Sequence, residues 1–192
     1  MKRLSFLALL LLALSAPATT VASGDVLVVA PEPAAAPWWQ RARWQPRSQV
    51  VRGVAIKRLH PEWCAAEAFS RELIGDDRLG TAAGSPLDGL DFALEGNFDG
   101  SGRPQIAFVG VYRRCAGEQG LFAAIVEPAR ERPRMRFLVE VPNTDSVLAT
   151  VGREPDGTLA VWWCVACPNG VRIEFNRDTR GFFVAGPATP RR

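Results

Sequence analysis

Residues 104–112 read PQIAFVGVY, and this stretch indicates the fold more strongly than any other in the chain. In an extended strand, alternate side chains point to opposite faces. One face here carries Ile106, Phe108 and Tyr112, and the other carries Ala107, Val109 and Val111. A strand that is apolar on both faces belongs inside a covered sheet, or between closely stacked small sheets. LAVWW at residues 159–163 has the same character.

Two segments around these strands share the same order of features. Each has a strand, an Asp-Gly turn, a doubly apolar strand, a loop with cysteine and glycine, and two more strands. The turns Asp99-Gly100 and Asp156-Gly157 lie 57 residues apart. The later strands are GLFAAIVE (120–127), RMRFLVEV (134–141), GVRIEF (170–175) and GFFVAG (181–186). The pattern predicts a mainly β (α+β) fold with two antiparallel four-stranded, blade-like units.

One N-terminal helix is predicted ahead of these strands, over residues 61–74. A proline suits its first turn, and Ala66, Phe69 and Leu73 recur at helical spacing. Gly75 then provides a stop signal. We expect this helix to cover one end of the two stacked sheets.

The stretch NFDGSGRPQIAFVGVY, residues 97–112, resembles the FG-GAP or VCBS-type repeats of integrin-like β-propellers. The resemblance covers about residues 92–127. In that family, a Phe-Asp-Gly-x-Gly loop between two strands commonly carries calcium on oxygen-bearing side chains. The resemblance places the corresponding positions of this sequence at Asn97, Asp99, Ser101 and Gln105.

The charges in this loop argue against calcium. Calcium sites use six to eight oxygens, several of them from carboxylates. Only Asp99 is charged among the four positions, and Arg103 adds a positive charge to the same loop. We therefore expect a loop that keeps the turn without the ion, and we predict no metal or other cofactor. The chain is also too short for a closed propeller.

The N-terminus has the features of a signal peptide over residues 1–22. Lys2 and Arg3 precede an apolar run, and small residues end at Ala22. Cleavage there lowers the formal net charge from +3 to +1, which argues against nucleic acid as a partner. No stable membrane insertion is expected after cleavage. The predicted organisation is a signal peptide (1–22), a Pro/Trp/Arg-rich segment (23–52), a single β-rich domain (53–187) and a tail (188–192).

Aromatic and arginine residues near the start of the mature chain are candidates for binding. Aromatic and guanidinium groups together can contact an anionic envelope component or a protein. The alternative, which we favour, is that the tryptophans pack on the domain while the arginines face water. The candidate binding residues are Trp38, Trp39, Arg41 and Trp44, together with Trp162, which lies far from this segment and is expected to be an exposed aromatic.

Four cysteines in an exported domain allow three disulfide pairings. We favour Cys64–Cys115 together with Cys164–Cys167, the first joining the predicted helix to a sheet. The other pairing considered joins Cys115 to Cys164 or Cys167, because their loops are equivalent in the two units.

Trp-Cys-x-x-Cys-Pro at residues 163–168 also suggests a thioredoxin-like active site. Such a site needs the first cysteine at a helix N-terminus, where the helix dipole lowers the thiol pKa. Only 25 residues follow Cys167, and they read as a turn and strands. A structural disulfide is therefore favoured. Zinc held by His60, Cys64 and other cysteines is a weaker alternative, since exported cysteines are usually oxidised.

No catalytic constellation is evident, so the protein is predicted not to be an enzyme. His60 is the only histidine, and a Cys64–His60 nucleophile pair would need Cys64 to be a free thiol. Acidic side chains in turns are usually solvated surface rather than a glycosidase pair. The acidic residues concerned are Asp76, Asp77, Asp88, Asp91 and Glu95.

These observations predict an exported, non-enzymatic binding or interaction protein of the bacterial periplasm, or a secreted one. Its partner is expected to be a protein or a cell-envelope component. One alternative is a periplasmic inhibitor or immunity protein against a cell-wall hydrolase. A second alternative is a thiol-disulfide oxidoreductase that uses Cys164 and Cys167.

Overall fold

The structure is a computed structural model that describes residues 42–75, 90–144, 148–165 and 170–189. The predicted signal peptide and the acidic residues Asp76, Asp77 and Asp88 lie outside these ranges. Within them the chain forms eleven strands and two short helices. The strands are β1 (Val50–Val51), β2 (Val54–Ala55), β3 (Trp63–Ala68), β4 (Ala93–Gly96), β5 (Gln105–Arg114), β6 (Gln119–Glu127), β7 (Arg134–Pro142), β8 (Thr150–Arg153), β9 (Leu159–Trp162), β10 (Gly170–Asn176) and β11 (Gly181–Ala188). The helices are α1 (Ile56–Leu59) and α2 (Arg71–Ile74).

The first large sheet is an antiparallel meander of β4, β5, β6 and β7, with β3 as a fifth strand. β4 and β3 share one edge of β5. β4 pairs with its first half and β3 pairs with its second half. The ten-residue length of β5 allows two short strands to lie end to end along it.

The second large sheet is a four-stranded antiparallel meander of β8, β9, β10 and β11. It repeats the strand order of β4 to β7, so the prediction of two four-stranded units is confirmed. Asp91 forms an isolated bridge with Val151, which links the chain just before β4 to β8.

The two sheets stack face to face, and apolar residues from both form the larger core cluster. A smaller cluster covers the other face of β5 and β6 with the β1–β2 hairpin and α1. Ala107, Val109 and Val111 face the second sheet, whereas Phe108 and Tyr112 face the hairpin. The two-sided apolar pattern of β5 therefore reflects burial on both faces, as predicted.

The prediction of a helix over residues 61–74 is wrong. The longest element in this segment is the six-residue strand β3, and the helical part is the single turn α2. The pairing register shifts between Trp63 and Ala65, so Cys64 is an extra residue in the strand. Such a bulge interrupts the two-residue alternation. Trp63 and Ala66 consequently face the same core cluster at a spacing of three. The residues that suggested a helix do not share one face: Ala66 lies in the smaller cluster, whereas Phe69 and Leu73 pack in the larger one.

The predicted end of this helix is correct even though its body is not. Ser70 Oγ accepts a hydrogen bond from the Leu73 backbone N–H at 3.1 Å and caps α2. Gly75 follows with φ of 86°, a left-handed conformation that favours glycine.

No helix in the part of the chain described above is long and apolar enough to cross a membrane.

Candidate functional site

The Cys64–Cys115 disulfide is present, so the favoured pairing is confirmed for these two residues. Their Cα atoms lie 4.8 Å apart and are separated by 51 residues in sequence. The bulge places Cys64 beside the end of β5, and Cys115 follows that strand directly. The disulfide therefore fixes the edge strand β3 to the centre of the first sheet, rather than fixing a helix.

Cys164 is not a free cysteine, because it too is disulfide-bonded. Its predicted partner, Cys167, lies outside the described residues. Cys164 follows β9, and β10 returns antiparallel with Gly170 opposite Trp162. A hairpin connection of this length leaves no room for the long helix that a thioredoxin-like site requires.

Trp63, Arg114 and His60 surround the carboxylate of Glu140, and His60 is not part of a nucleophile pair. Glu140 accepts a hydrogen bond from Trp63 Nε1 at 2.6 Å, and Arg114 Nη2 lies 3.2 Å from its other oxygen. His60 Nε2 lies 3.7 Å from that same oxygen. Cys64 is held in its disulfide, so it supplies no thiol for His60 to activate. The cluster ties β3 to the far strand β7.

The two Asp-Gly turns occupy equivalent hairpins, β4–β5 and β8–β9, as the repeated pattern predicts. Asp99 Oδ1 accepts a hydrogen bond from the Ser101 backbone N–H, and Asp156 Oδ1 accepts one from Thr158, both at 2.9 Å. Each aspartate also pairs with an arginine of a later strand. Arg136 of β7 lies 3.1 Å from Asp99, and Arg172 of β10 lies 3.0 Å from Asp156.

The Asp99 carboxylate is buried against a guanidinium. Its side chain is 2% exposed, and Arg136 bridges it to Glu127 through contacts of 3.1 and 3.0 Å. Burial raises the pKa of Asp99, but hydrogen bonds involving Ser101 and Gln105 and the Arg136 charge outweigh burial, so the pKa lies below its usual value. A hydrogen bond from Arg103, opposed in part by burial, lowers the pKa of Glu127.

The other residues suggested as calcium ligands serve the loop itself. Gln105 Oε1 accepts a hydrogen bond from the Phe98 backbone N–H at 2.9 Å. Ser101 Oγ accepts one from the Arg103 backbone N–H at 3.3 Å. Asn97 lies in the same loop. Among the residues with described positions, no group of three or more His, Cys, Asp or Glu side chains is arranged to hold a metal ion.

We predict that millimolar calcium gives no binding heat when it is titrated into the mature protein. Arg136 already pairs with Asp99, the only carboxylate among the four candidate ligands, and its positive charge would repel a second cation there. Isothermal titration calorimetry checks this directly. Micromolar affinity that disappears in Asp99→Ala would show that the loop is a calcium site.

The aromatic binding candidates do not form an exposed patch. Trp38, Trp39 and Arg41 lie outside the described residues. Trp44 is partly buried and packs on Phe69, with ring centroids 5.2 Å apart. Trp162 is 4% exposed and belongs to a small buried cluster, so the expectation that it is a surface aromatic is wrong. A doubly buried strand, rather than a binding face, explains the apolar pattern of β9.

A cleft lies where the two Asp-Gly hairpins meet the end of β7 and the β10–β11 turn. It has two lobes that share Asp99, Gly100, Phe175 and Arg177. The hairpin lobe, about 400 Å³, lies between the β4–β5 and β8–β9 loops and β10. The arginine lobe, about 630 Å³, is lined by five arginines: Arg103, Arg134, Arg136, Arg177 and Arg180.

Arg153 stabilises the hairpin lobe. Its guanidinium donates hydrogen bonds to the backbone carbonyls of Gly157 at 3.2 Å and Glu95 at 3.3 Å. It also lies over the Phe98 ring, 5.0 Å from the centroid. A Cβ on Gly96 would collide with this guanidinium, which explains a glycine at the end of β4. The two hairpins are thereby held together from opposite sheets.

The cleft concentrates positive charge. Seven arginines line its two lobes, and three of them pair with four carboxylates. Arg153 bonds to carbonyls, while Arg134, Arg177 and Arg180 are exposed and form no ion pair with any residue of the described ranges. The local excess of three positive charges equals the formal net charge of the whole chain, +3. An anionic group is the complementary ligand.

Sequence reasoning missed this cleft because its arginines are dispersed. They come from one loop, three strands of the two large sheets and one turn, and no linear motif unites them. The one sequence feature that pointed to the cleft was the equivalence of the two Asp-Gly hairpins. It predicts that both loops lie at corresponding ends of their sheets.

The sequence matches no family model and none of the curated proteins with significance, and the fold has no significant match among solved structures.

Proposed function

We propose that this chain is an exported, non-enzymatic binding protein of an oxidising compartment, the bacterial periplasm or the exterior. We propose further that it binds an anionic component of the cell envelope at the cleft. The signal-like N-terminus and the Cys64–Cys115 disulfide support export.

One observation carries the choice of site. Arg134, Arg177 and Arg180 are exposed on the arginine lobe without a carboxylate partner among the described residues. Arginines that only maintain the fold are paired here, as Arg136 is with Asp99 and Glu127. A guanidinium that lacks such a partner keeps its donors available for a ligand.

The experiment compares three forms of the mature protein for co-sedimentation with a bacterial envelope fraction. The cleft variant is Arg134→Gln/Arg177→Gln/Arg180→Gln. The control variant, Arg47→Gln/Arg58→Gln/Arg113→Gln, loses the same charge from exposed arginines that do not line the cleft. Thermal unfolding establishes that all three forms are folded.

We expect the wild type and the control variant to sediment with the envelope fraction and the cleft variant to remain in the supernatant. Added salt should release the wild type, because these charge contacts are screened. Equal sedimentation of the cleft variant and the wild type would contradict the assignment of the site.

A further inference from the structure

The arginine lobe presents more guanidinium donors than its own carboxylates use. Arg136 has both outer nitrogens engaged, with Asp99 and Glu127. Arg103 uses one nitrogen on Glu127 at 2.9 Å, and its side chain is 61% exposed. Each of the other three lobe arginines offers a full set of donors. The lobe therefore has an inner layer that maintains the fold and an outer layer that is available to a ligand.

The sheet fixes the position of Arg134. It is the first residue of β7 and is paired in register with Glu127 of β6. Arg136 follows two residues later, at a bulge where the register with β6 shifts. The inner ion pair of Arg136 with Asp99 and the exposed Arg134 therefore line the same lobe.

The tight turn between β10 and β11 supplies the opposing arginines, Arg177 and Arg180. Asn176 Oδ1 accepts hydrogen bonds from the backbone N–H groups of Asp178 at 2.9 Å and Thr179 at 3.0 Å. Asn176 also pairs with Gly181 across the hairpin, and this closes the turn. Two arginines from the second sheet therefore line the same lobe as Arg134 from the first.

We propose that the arginine lobe binds a phosphate monoester group between Arg134 on one side and Arg177 and Arg180 on the other. The proposal rests on the proposed function and names the anionic group of the partner. One guanidinium in a bidentate pair satisfies the two oxygens of a carboxylate. A phosphate monoester has three terminal oxygens and close to two negative charges, so three guanidiniums suit it better.

The lobe has room for a molecule larger than a phosphate group alone. About 630 Å³ is within the range of pockets for small organic ligands and far exceeds one phosphate. Phe175 lines both lobes and offers an aromatic face to whatever carries the phosphate. Two sources share this chemistry: a free phosphorylated small molecule, and a phosphorylated headgroup at a membrane surface.

The test is calorimetry of the mature protein with glycerol 3-phosphate and inorganic phosphate, with acetate and glycerol as comparison ligands. We expect both phosphates to bind about tenfold more tightly than acetate. One additional charge-assisted hydrogen bond contributes at least as much free energy as a tenfold change in affinity requires. The cleft variant should weaken phosphate binding at least about tenfold. The control variant should match the wild type within about twofold, since its arginines do not line the lobe.

Vesicles distinguish the two sources. Phosphatidylcholine vesicles doped with phosphatidic acid present a membrane-borne phosphate monoester, and those doped with phosphatidylglycerol present only a diester. Arginine-dependent binding to the first but not the second assigns a membrane source. Arginine-dependent binding of glycerol 3-phosphate without vesicle binding assigns a free ester. Either result supports the proposal.

The proposal is wrong if neither phosphate binds more tightly than acetate, or if the control variant loses as much binding as the cleft variant. These failures are separate from failure of the proposed function. If the cleft variant no longer sediments with the envelope fraction while phosphate and acetate bind equally, the phosphate assignment is wrong and the cleft remains the site. If phosphate binding depends on the arginines but sedimentation does not, the lobe is a phosphate site and the proposed envelope-binding function of the cleft is wrong.

Discussion

Replacement of both Cys64 and Cys115 by serine should lower the free energy of unfolding by about 4 kcal/mol. The estimate comes from the entropy of the unfolded chain that a closed loop of this length removes. The disulfide closes 51 residues and anchors an edge strand whose neighbour β5 lies at the centre of the sheet. Urea unfolding of the double variant against the wild type measures the loss.

The matched comparison is Cys164→Ser/Cys167→Ser. These cysteines are three residues apart, so their loss should cost about 2 kcal/mol or less by the same loop argument. A larger loss for this pair than for Cys64 and Cys115 would show that the β9–β10 loop, not the β3–β5 edge, is the main covalent support. Insulin reduction catalysed by the wild type would revive the oxidoreductase alternative.

Arg136→Met should cost about 2 kcal/mol of stability at neutral pH, because it leaves two carboxylates without their shared cation. Asp99 is the more affected of the two, since its side chain is 2% exposed. Arg136→Lys keeps the charge and should recover part of the loss. Arg103→Met removes a mostly exposed partner of Glu127 and should have little effect.

The cost of Arg136→Met should depend on pH in a defined direction. The Asp99 and Glu127 carboxyls have pKa values below their usual range in the folded protein. Their contribution to stability is therefore present above the unfolded pKa values, near pH 4, and disappears as the pH falls further. Urea unfolding at several pH values should show the wild type and the variant converging in acid. A difference that stays constant down to pH 3 would show that the lost contact is packing, not charge.

The core of the fold was predictable because the pattern of apolar residues in each strand indicates which of its faces are buried. β5 is apolar on both faces, and the structure covers both faces. The hairpins were predictable from Asp-Gly turns, and Gly157 indeed has a positive φ of 85°. β3 was not predictable, because Ala66, Phe69 and Leu73 recur at helical spacing although they are divided between the two core clusters. The pairing of β3 with β5 is also non-local.

The candidate site was far less accessible to sequence reasoning. The sequence showed that the Asp99 loop has too few carboxylates to bind calcium. It did not show that Arg136, which lies two strands away, pairs with Asp99. Trp162 was misjudged because a large aromatic beside a cysteine loop was interpreted as surface. It is instead part of a strand that is buried on both faces.

Site-specific photocrosslinking tests the central claim, that the partner binds at the cleft, most directly. Benzoylphenylalanine in place of Phe175 puts the reactive group in both lobes, whereas in place of Phe183 it lies on an exposed part of β11 that lines neither lobe. After irradiation with the envelope fraction, we predict an adduct of the Phe175 form, suppressed by high salt and absent with Arg134, Arg177 and Arg180 changed to glutamine. An adduct of the Phe183 form alone, or one at position 175 that persists without these arginines, would contradict the account.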